Sequence, residues 1–175
     1  MKGVSIVAEK KVLMVIPTGG FRDEEYQWLR RACEARGLKV TVASMHLGVI
    51  RGLEGLPVKP DVLLDDVKYY DYDAIVFIGG EKARQYFDHE KALKLAKDAK
   101  YKILGATGNA SVILANAGVL EGKRATSPSE VAGFLVAKGA DYTGRPLEID
   151  DKLVTTNGSL PVEYFANALI ELLRS

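Results

Sequence analysis

The sequence predicts an α/β fold, with a mostly parallel sheet covered by helices on both faces. Three observations predict it. Short runs made almost wholly of apolar residues recur along the chain. Segments of helical periodicity separate several of them. Glycine or small polar residues end most of the runs. A wholly apolar run suits a strand buried on both faces. Strands alternating with helices imply crossover connections and a parallel sheet.

The elements follow in order. Val12–Pro17 reads as the first buried strand, broken by Thr18, Gly19 and Gly20. Asp23, Glu24 and Glu25 open a helix that runs through Trp28, Leu29, Ala32 and Cys33, because acidic residues suit a helix N-terminus. Gly37 ends it. Lys39–Ala43 is the second strand. Ala74–Ile78 is a further strand, ending at Gly79 and Gly80. Residues 90–99 read as a helix, and Ile103–Ala106 as a strand running into a sharp turn. Ala110–Ala117 is a helix of small and apolar residues. Leu153–Thr156 is a late strand, and Val162–Leu173 is an amphipathic helix with Phe165, Leu169, Leu172 and Leu173 on one side. Ligands of such folds sit outside the carboxyl ends of the strands. Three loops leave those ends here: 18–25, 79–84 and 107–110.

Composition narrows the function classes. The 175 residues suit one domain, with residues 1–10 as an N-terminal extension. Apolar residues make up 47% and charged residues 27%, and the net charge is +1, so the totals give no case for nucleic acid or an anionic membrane. No apolar run approaches a membrane span. The single cysteine, Cys33, excludes an internal disulfide, fits a cytoplasmic protein, and falls on the apolar side of a helix as an inert buried thiol. The two histidines, His46 and His89, lie far from the three loops and have no partner at metal spacing. The expectation is therefore no metal and no cofactor.

The turn at 105–111 reads Gly-Ala-Thr-Gly-Asn-Ala-Ser, followed by a helix and then Ala117-Gly-Val-Leu-Glu-Gly-Lys-Arg124. This stretch resembles the ThiJ/PfpI family of the class I glutamine-amidotransferase-like superfamily, whose members typically read Ala-Ile-Cys-His-Gly-Pro, a helix, and Ala-Gly-Val-Leu-x-Gly-(Lys/Arg). The resemblance runs from about residue 11 to 174. It includes Gly55–Val58 with Pro60-Asp61, Tyr70-Asp-Tyr-Asp-Ala74 before the glycine pair, and Asp150–Gly158. Ungapped counting from both flanks puts the family's cysteine at Gly108 and its following histidine at Asn109. At the end of the 74–78 strand, Ile78 replaces a proline of the family.

The resemblance implies a flavodoxin-like three-layer sandwich, usually assembled as a homodimer or larger homo-oligomer, with peptidase, glyoxalase or deglycase, chaperone or redox-sensor activity in its members. It implies that Glu25, with Glu24 as the alternative, is the acid that hydrogen-bonds the family's thiol. It implies that the backbone N–H groups at Gly79 and Gly80 contribute an oxyanion hole. Some relatives carry another histidine where this chain reads Ala125-Thr-Ser-Pro128. Val4–Ala8 is apolar enough to add an edge strand or to cover a partner surface.

Two function classes remain. One is a non-catalytic protein that keeps a small-molecule pocket or an assembly role. The other is a hydrolase (peptidase or amidase) or a glyoxalase/deglycase-like enzyme using Thr107, Glu25 and Asn109 in place of a thiol. Glycine at 108 relaxes a turn that would strain any side-chain-bearing residue. Thr107 as nucleophile would need a base and a one-residue shift, and otherwise ends a strand and bonds locally. The expectation is that Glu25, Gly79, Gly80, Gly108 and Asn109 line one shallow pocket.

Overall fold

The computed structural model describes residues 10–174, so the segment Val4–Ala8 lies outside the described residues. The elements are β1 (Lys11–Val15), α1 (Asp23–Ala35), β2 (Lys39–Ser44), β3 (Ile50–Arg51), β4 (Pro57–Val58), β5 (Val62–Leu63) and β6 (Ala74–Phe77). Then come α2 (Glu90–Asp98), β7 (Ile103–Thr107), α3 (Ser111–Asn116), β8 (Arg124–Ala125), α4 (Ala132–Ala137), β9 (Asp141–Tyr142), β10 (Leu147–Asp150), β11 (Leu153–Thr156) and α5 (Val162–Arg174).

Seven strands form one sheet in the order β10-β11-β7-β6-β1-β2-β5. All neighbours are parallel except β10 and β11, which are joined by a tight hairpin. Period-two alternation divides β1 between two cores. Val12 and Met14 face the layer of α1 and α5, with Leu29, Cys33, Phe165 and Leu169. Leu13 and Val15 face the layer of α2, α3 and α4, with Ala96, Val112 and Leu114. This is the expected flavodoxin-like three-layer arrangement.

Gly105, inside β7, is glycine because of packing. A Cβ there would stand 2.8 Å from Cζ of the buried Phe165 ring. The missing side chain lets α5 lie close against the strand, while the pairing of Thr156 with Thr107 brings the turn after β11 to the end of β7. Short elements escaped the sequence reading: the β3–β4 hairpin, the β8–β9 pair and α4. A two-residue strand carries no period to detect.

Candidate functional site

β1, β6 and β7 are adjacent, so the loops following them meet at the carboxyl edge of the sheet. Arg22 N–H donates to Gly79 O at 3.0 Å, and Phe21 bridges Gly80. The tip of the β3–β4 hairpin folds over the same edge. Leu53 N–H donates to Phe21 O, and the Asp23 carboxylate accepts from the N–H groups of Glu54 and Leu56. Asp23 thus anchors a loop as well as opening a helix.

The turn after β7 has the expected backbone. Thr107 is extended at φ −99°, and Gly108 is left-handed at φ 53°. The positive-φ position is therefore 108 and not 107. A Cβ built on Gly108 meets no atom within 4 Å, so the cleft reaches down to the turn backbone. The neighbouring glycines are crowded. A Cβ on Gly79 would lie 2.5 Å from Thr107 O, and one on Gly80 would lie 2.3 Å from Gly20 O.

The side chains flanking Gly108 are turned to the glycine loop. Gly79 N–H donates to Thr107 Oγ1 at 2.9 Å, and Gly80 N–H donates to Asn109 Oδ1 at 3.1 Å. Asn109 Nδ2 returns a bond to Gly80 O at 3.0 Å. Thr107 is fully buried. Both N–H groups of the glycine pair are thus satisfied within the protein.

A cleft of about 770 Å³ opens above this floor. Gly79, Gly80, Gly108 and Asn109 line it, as expected. Its walls come from Arg22 and Leu53 on one side, Arg84 and residues 127–131 on another, and Asn157–Ser159 after β11.

Glu25 stands beside this cleft. It lines an adjoining chamber of about 200 Å³ together with Glu24, Leu160 and Val162. Arg22, Leu53 and Gly158 belong to the walls of both spaces. The two spaces are thus contiguous, and the Glu25 carboxyl interacts with the Thr107 hydroxyl beside Gly108. Glu24, the alternative acid, is exposed, while the Glu25 side chain is only 13% exposed. Burial raises the Glu25 carboxyl above its usual range, and the Thr107 hydroxyl and then Arg22 act in the opposite direction. No hydrogen bond of ordinary geometry reaches Glu25 Oε1, although that atom is buried. The Arg22 guanidinium stands 3.8 Å from Oε2.

The remaining candidates are structural. Cys33 is fully buried, and burial pushes its thiol up to about 12. His89 Nδ1 accepts from Ala92 N–H at the start of α2, and the ring packs on Tyr86. Among the described residues no group of three or more His, Cys, Asp or Glu could hold a metal ion, and no helix is long and apolar enough to cross a membrane. At 125–128, Thr126 is fully buried with an unpartnered Oγ1, and Ser127 lines the cleft.

Comparison with known proteins fits this geometry. A sequence model of the DJ-1/PfpI family matches residues 10–172. The chain belongs to the DJ-1/PfpI family. The crystal structure of a ThiJ/PfpI domain protein from Brachyspira murdochii superposes with a TM-score of 0.90 at 30% identity, covering 94% of this chain and 96% of that one. An uncharacterized protein of Archaeoglobus fulgidus is 30% identical over 164 residues, 93% of this chain and 98% of its own length. Deglycase PfpI of Pyrococcus furiosus is 26% identical over 164 residues, 93% of this chain and 99% of its own. Arg22, Leu53 and Asn157–Ser159 line the cleft and were missed by sequence reasoning. The motif ending at Gly158 was visible, but its convergence with residue 22 depends on tertiary structure.

Proposed function

We propose that this chain is a non-catalytic DJ-1/PfpI protein whose cleft binds a small molecule. The observation that carries the reading is the pair of bonds from Gly79 N–H to Thr107 and from Gly80 N–H to Asn109. Acyl transfer needs a nucleophile and preorganised donors aimed at the developing oxyanion. Ungapped counting from both flanking motifs puts the nucleophile position at Gly108, which has no side chain. The donors that would serve an oxyanion already have protein acceptors at 2.9 and 3.1 Å. A reaction would have to break both contacts at the moment charge develops. A ligand that needs only shape and polar contacts meets no such demand. The volume is in the range of small-molecule sites.

The deglycase named among the relatives keeps a second reading in play: an enzyme using Thr107, Glu25 and Asn109. The raised Glu25 carboxyl favours it, since a carboxyl shifted upward suits acid–base work. Against it, Thr107 is fully buried and its oxygen already accepts from Gly79 N–H. Cys33 offers no substitute thiol, being buried and far up its titration range. We place the protein in the cytoplasm, which suits an unpaired buried cysteine.

The test is a thermal-shift screen of small metabolites on the full chain, repeated with Gly108→Leu. The introduced side chain projects into the cleft, so hits that stabilise the wild type should lose their shift. Hits indifferent to Gly108→Leu would move binding elsewhere. Turnover of methylglyoxal or of a peptide ester by the wild type, abolished by Glu25→Gln, would replace this reading with the enzymatic one.

A further inference from the structure

The amino edge of the sheet, opposite the cleft, carries a second open site where β7 and β11 begin. Helix α2 closes on Ala99 and turns through Lys100–Lys102 into β7. Leu104 N–H donates to Lys152 O in the β10–β11 hairpin. Helix α3 ends at the same edge, just before Gly118 with its φ of 83°. These turns line a cavity of about 500 Å³, which shares Tyr101 and Lys152 with a neighbouring groove of about 530 Å³. Lys97, Lys100, Lys123 and Lys152 line the cavity, and Ala117, Val119 and Leu153 form its apolar wall.

Among the described residues, none of the four lysines has an ion-pair partner. Asp98, the acid at the end of α2, is held by Lys94 at 2.6 Å. Glu121 and Asp151 are the two acids in the cavity wall, so the lysines exceed them by two charges. Tyr101 is 78% exposed, more than any other large apolar or aromatic side chain among the described residues. The Lys100 ammonium lies 5.2 Å from its ring centroid, and Lys152 Nζ donates to Tyr101 O at 3.2 Å. A lysine in the last turn of a helix complements the helix dipole, which accounts for Lys97. It does not account for Lys123 and Lys152, which sit in a loop and a hairpin turn, or for an aromatic ring left in water.

We propose that this site binds a nucleoside polyphosphate, with the base stacked on Tyr101 and the phosphates among the four lysines. The two halves of that ligand match the two halves of the site. Lysine ammonium groups are point-charge partners for phosphate. An exposed aromatic ring offers a face on which any base stacks. A bare phosphate leaves the ring and the apolar wall unused, and an uncharged ring leaves the excess of cations uncompensated. A nucleic-acid strand needs successive stacking platforms along a basic track. Here there is one ring, on a chain of net charge +1. Strand β7 runs from this site at Ile103 to the cleft at Thr107, about 13 Å away along the sheet. The proposal therefore stands independently of the reading of the cleft.

Isothermal titration calorimetry of the full-length protein with ATP, in magnesium-free buffer, tests the proposal. ATP should bind, and adenosine and tripolyphosphate should each bind at least about tenfold more weakly, since each offers half of the contacts. Tyr101→Ala should weaken ATP at least about tenfold, the loss expected for one stacked base, and leave tripolyphosphate unchanged. Lys123→Gln/Lys152→Gln should weaken both ligands, and ATP affinity for the wild type should fall as salt is raised. Far-UV circular dichroism confirms the fold of each variant. If that pair impairs folding, Lys97→Gln/Lys100→Gln removes the same charge from the same cavity. Gly108→Leu, at the far end of β7, should leave ATP affinity unchanged. Absence of ATP binding at millimolar concentration, a Tyr101→Ala variant that binds ATP as tightly as the wild type, or loss of ATP binding in Gly108→Leu overturns the proposal.

Discussion

Gly79 and Gly108 face the same cleft and are glycine for different reasons. At Gly79 a Cβ would be driven to 2.5 Å from a backbone oxygen, so the position is fixed by space. At Gly108 there is open space, and only the φ of 53° favours glycine. The first glycine lets two loops touch, so that Thr107 and Asn109 can hold the glycine pair. The second leaves a void where a side chain would project. The floor of the cleft is therefore tightly built on one side and open on the other.

Four substitutions sharpen the contrast. Gly79→Ala should be the most damaging, costing about 3 kcal/mol in chemical denaturation, because the clash is with backbone that cannot rotate away. A cost below about 1 kcal/mol would mean that the β6 and β7 loops are not in contact. Thr107→Val should cost about 2 kcal/mol, since it keeps the shape and leaves the buried Gly79 N–H without an acceptor. The amide of Gly79 should then exchange faster with solvent while the rest of β6 does not. Gly108→Ala should cost only about 1 kcal/mol, the penalty of a left-handed conformation with no steric clash added. If it matches Gly79→Ala, the void at 108 is not there.

The smallest effect concerns Glu25. Its folded-state carboxyl is raised, so the folded state holds its proton to higher pH than the unfolded chain does. Stability should therefore fall as pH rises from the ordinary glutamate range, near 4.5, towards the raised folded value. Glu25→Gln should remove that slope. The melting-temperature difference between variant and wild type should shrink at low pH, and a difference that grows on acidification would reverse the sign argued here.

The two sides of the cleft also differed in how far the sequence disclosed them. β1, β6 and β7 were legible because strands buried on both faces must be apolar throughout. The turn at Gly108 was legible because its helix and the following Ala117–Arg124 keep their spacing. What the sequence could not disclose is contact across 28 and 29 residues. Neither the Thr107–Gly79 nor the Asn109–Gly80 bond leaves a local trace. The wall that the cleft shares with the chamber beside Glu25 was hidden for the same reason. It depends on Leu53, carried on a hairpin of two-residue strands, and on Arg22, which as a lone surface arginine carries no signal. Asp23 read as a helix-opening acid, and its role as anchor of the 54–56 backbone emerges only in three dimensions.

The central claim is that the cleft lacks catalysis both for want of a nucleophile and because its donors are taken. Methylglyoxal consumption by Gly108→Cys and by the triple variant Thr107→Ile/Gly108→Cys/Asn109→His separates the two causes. The void at 108 makes the single variant's new thiol accessible to iodoacetamide, yet Thr107 and Asn109 still hold the Gly79 and Gly80 N–H groups, so it should label without turning over. The triple variant releases both donors and should turn over. Turnover by Gly108→Cys alone at the rate of the triple variant would show that the hydrogen bonds to Thr107 and Asn109 do not silence the site, and would contradict the account.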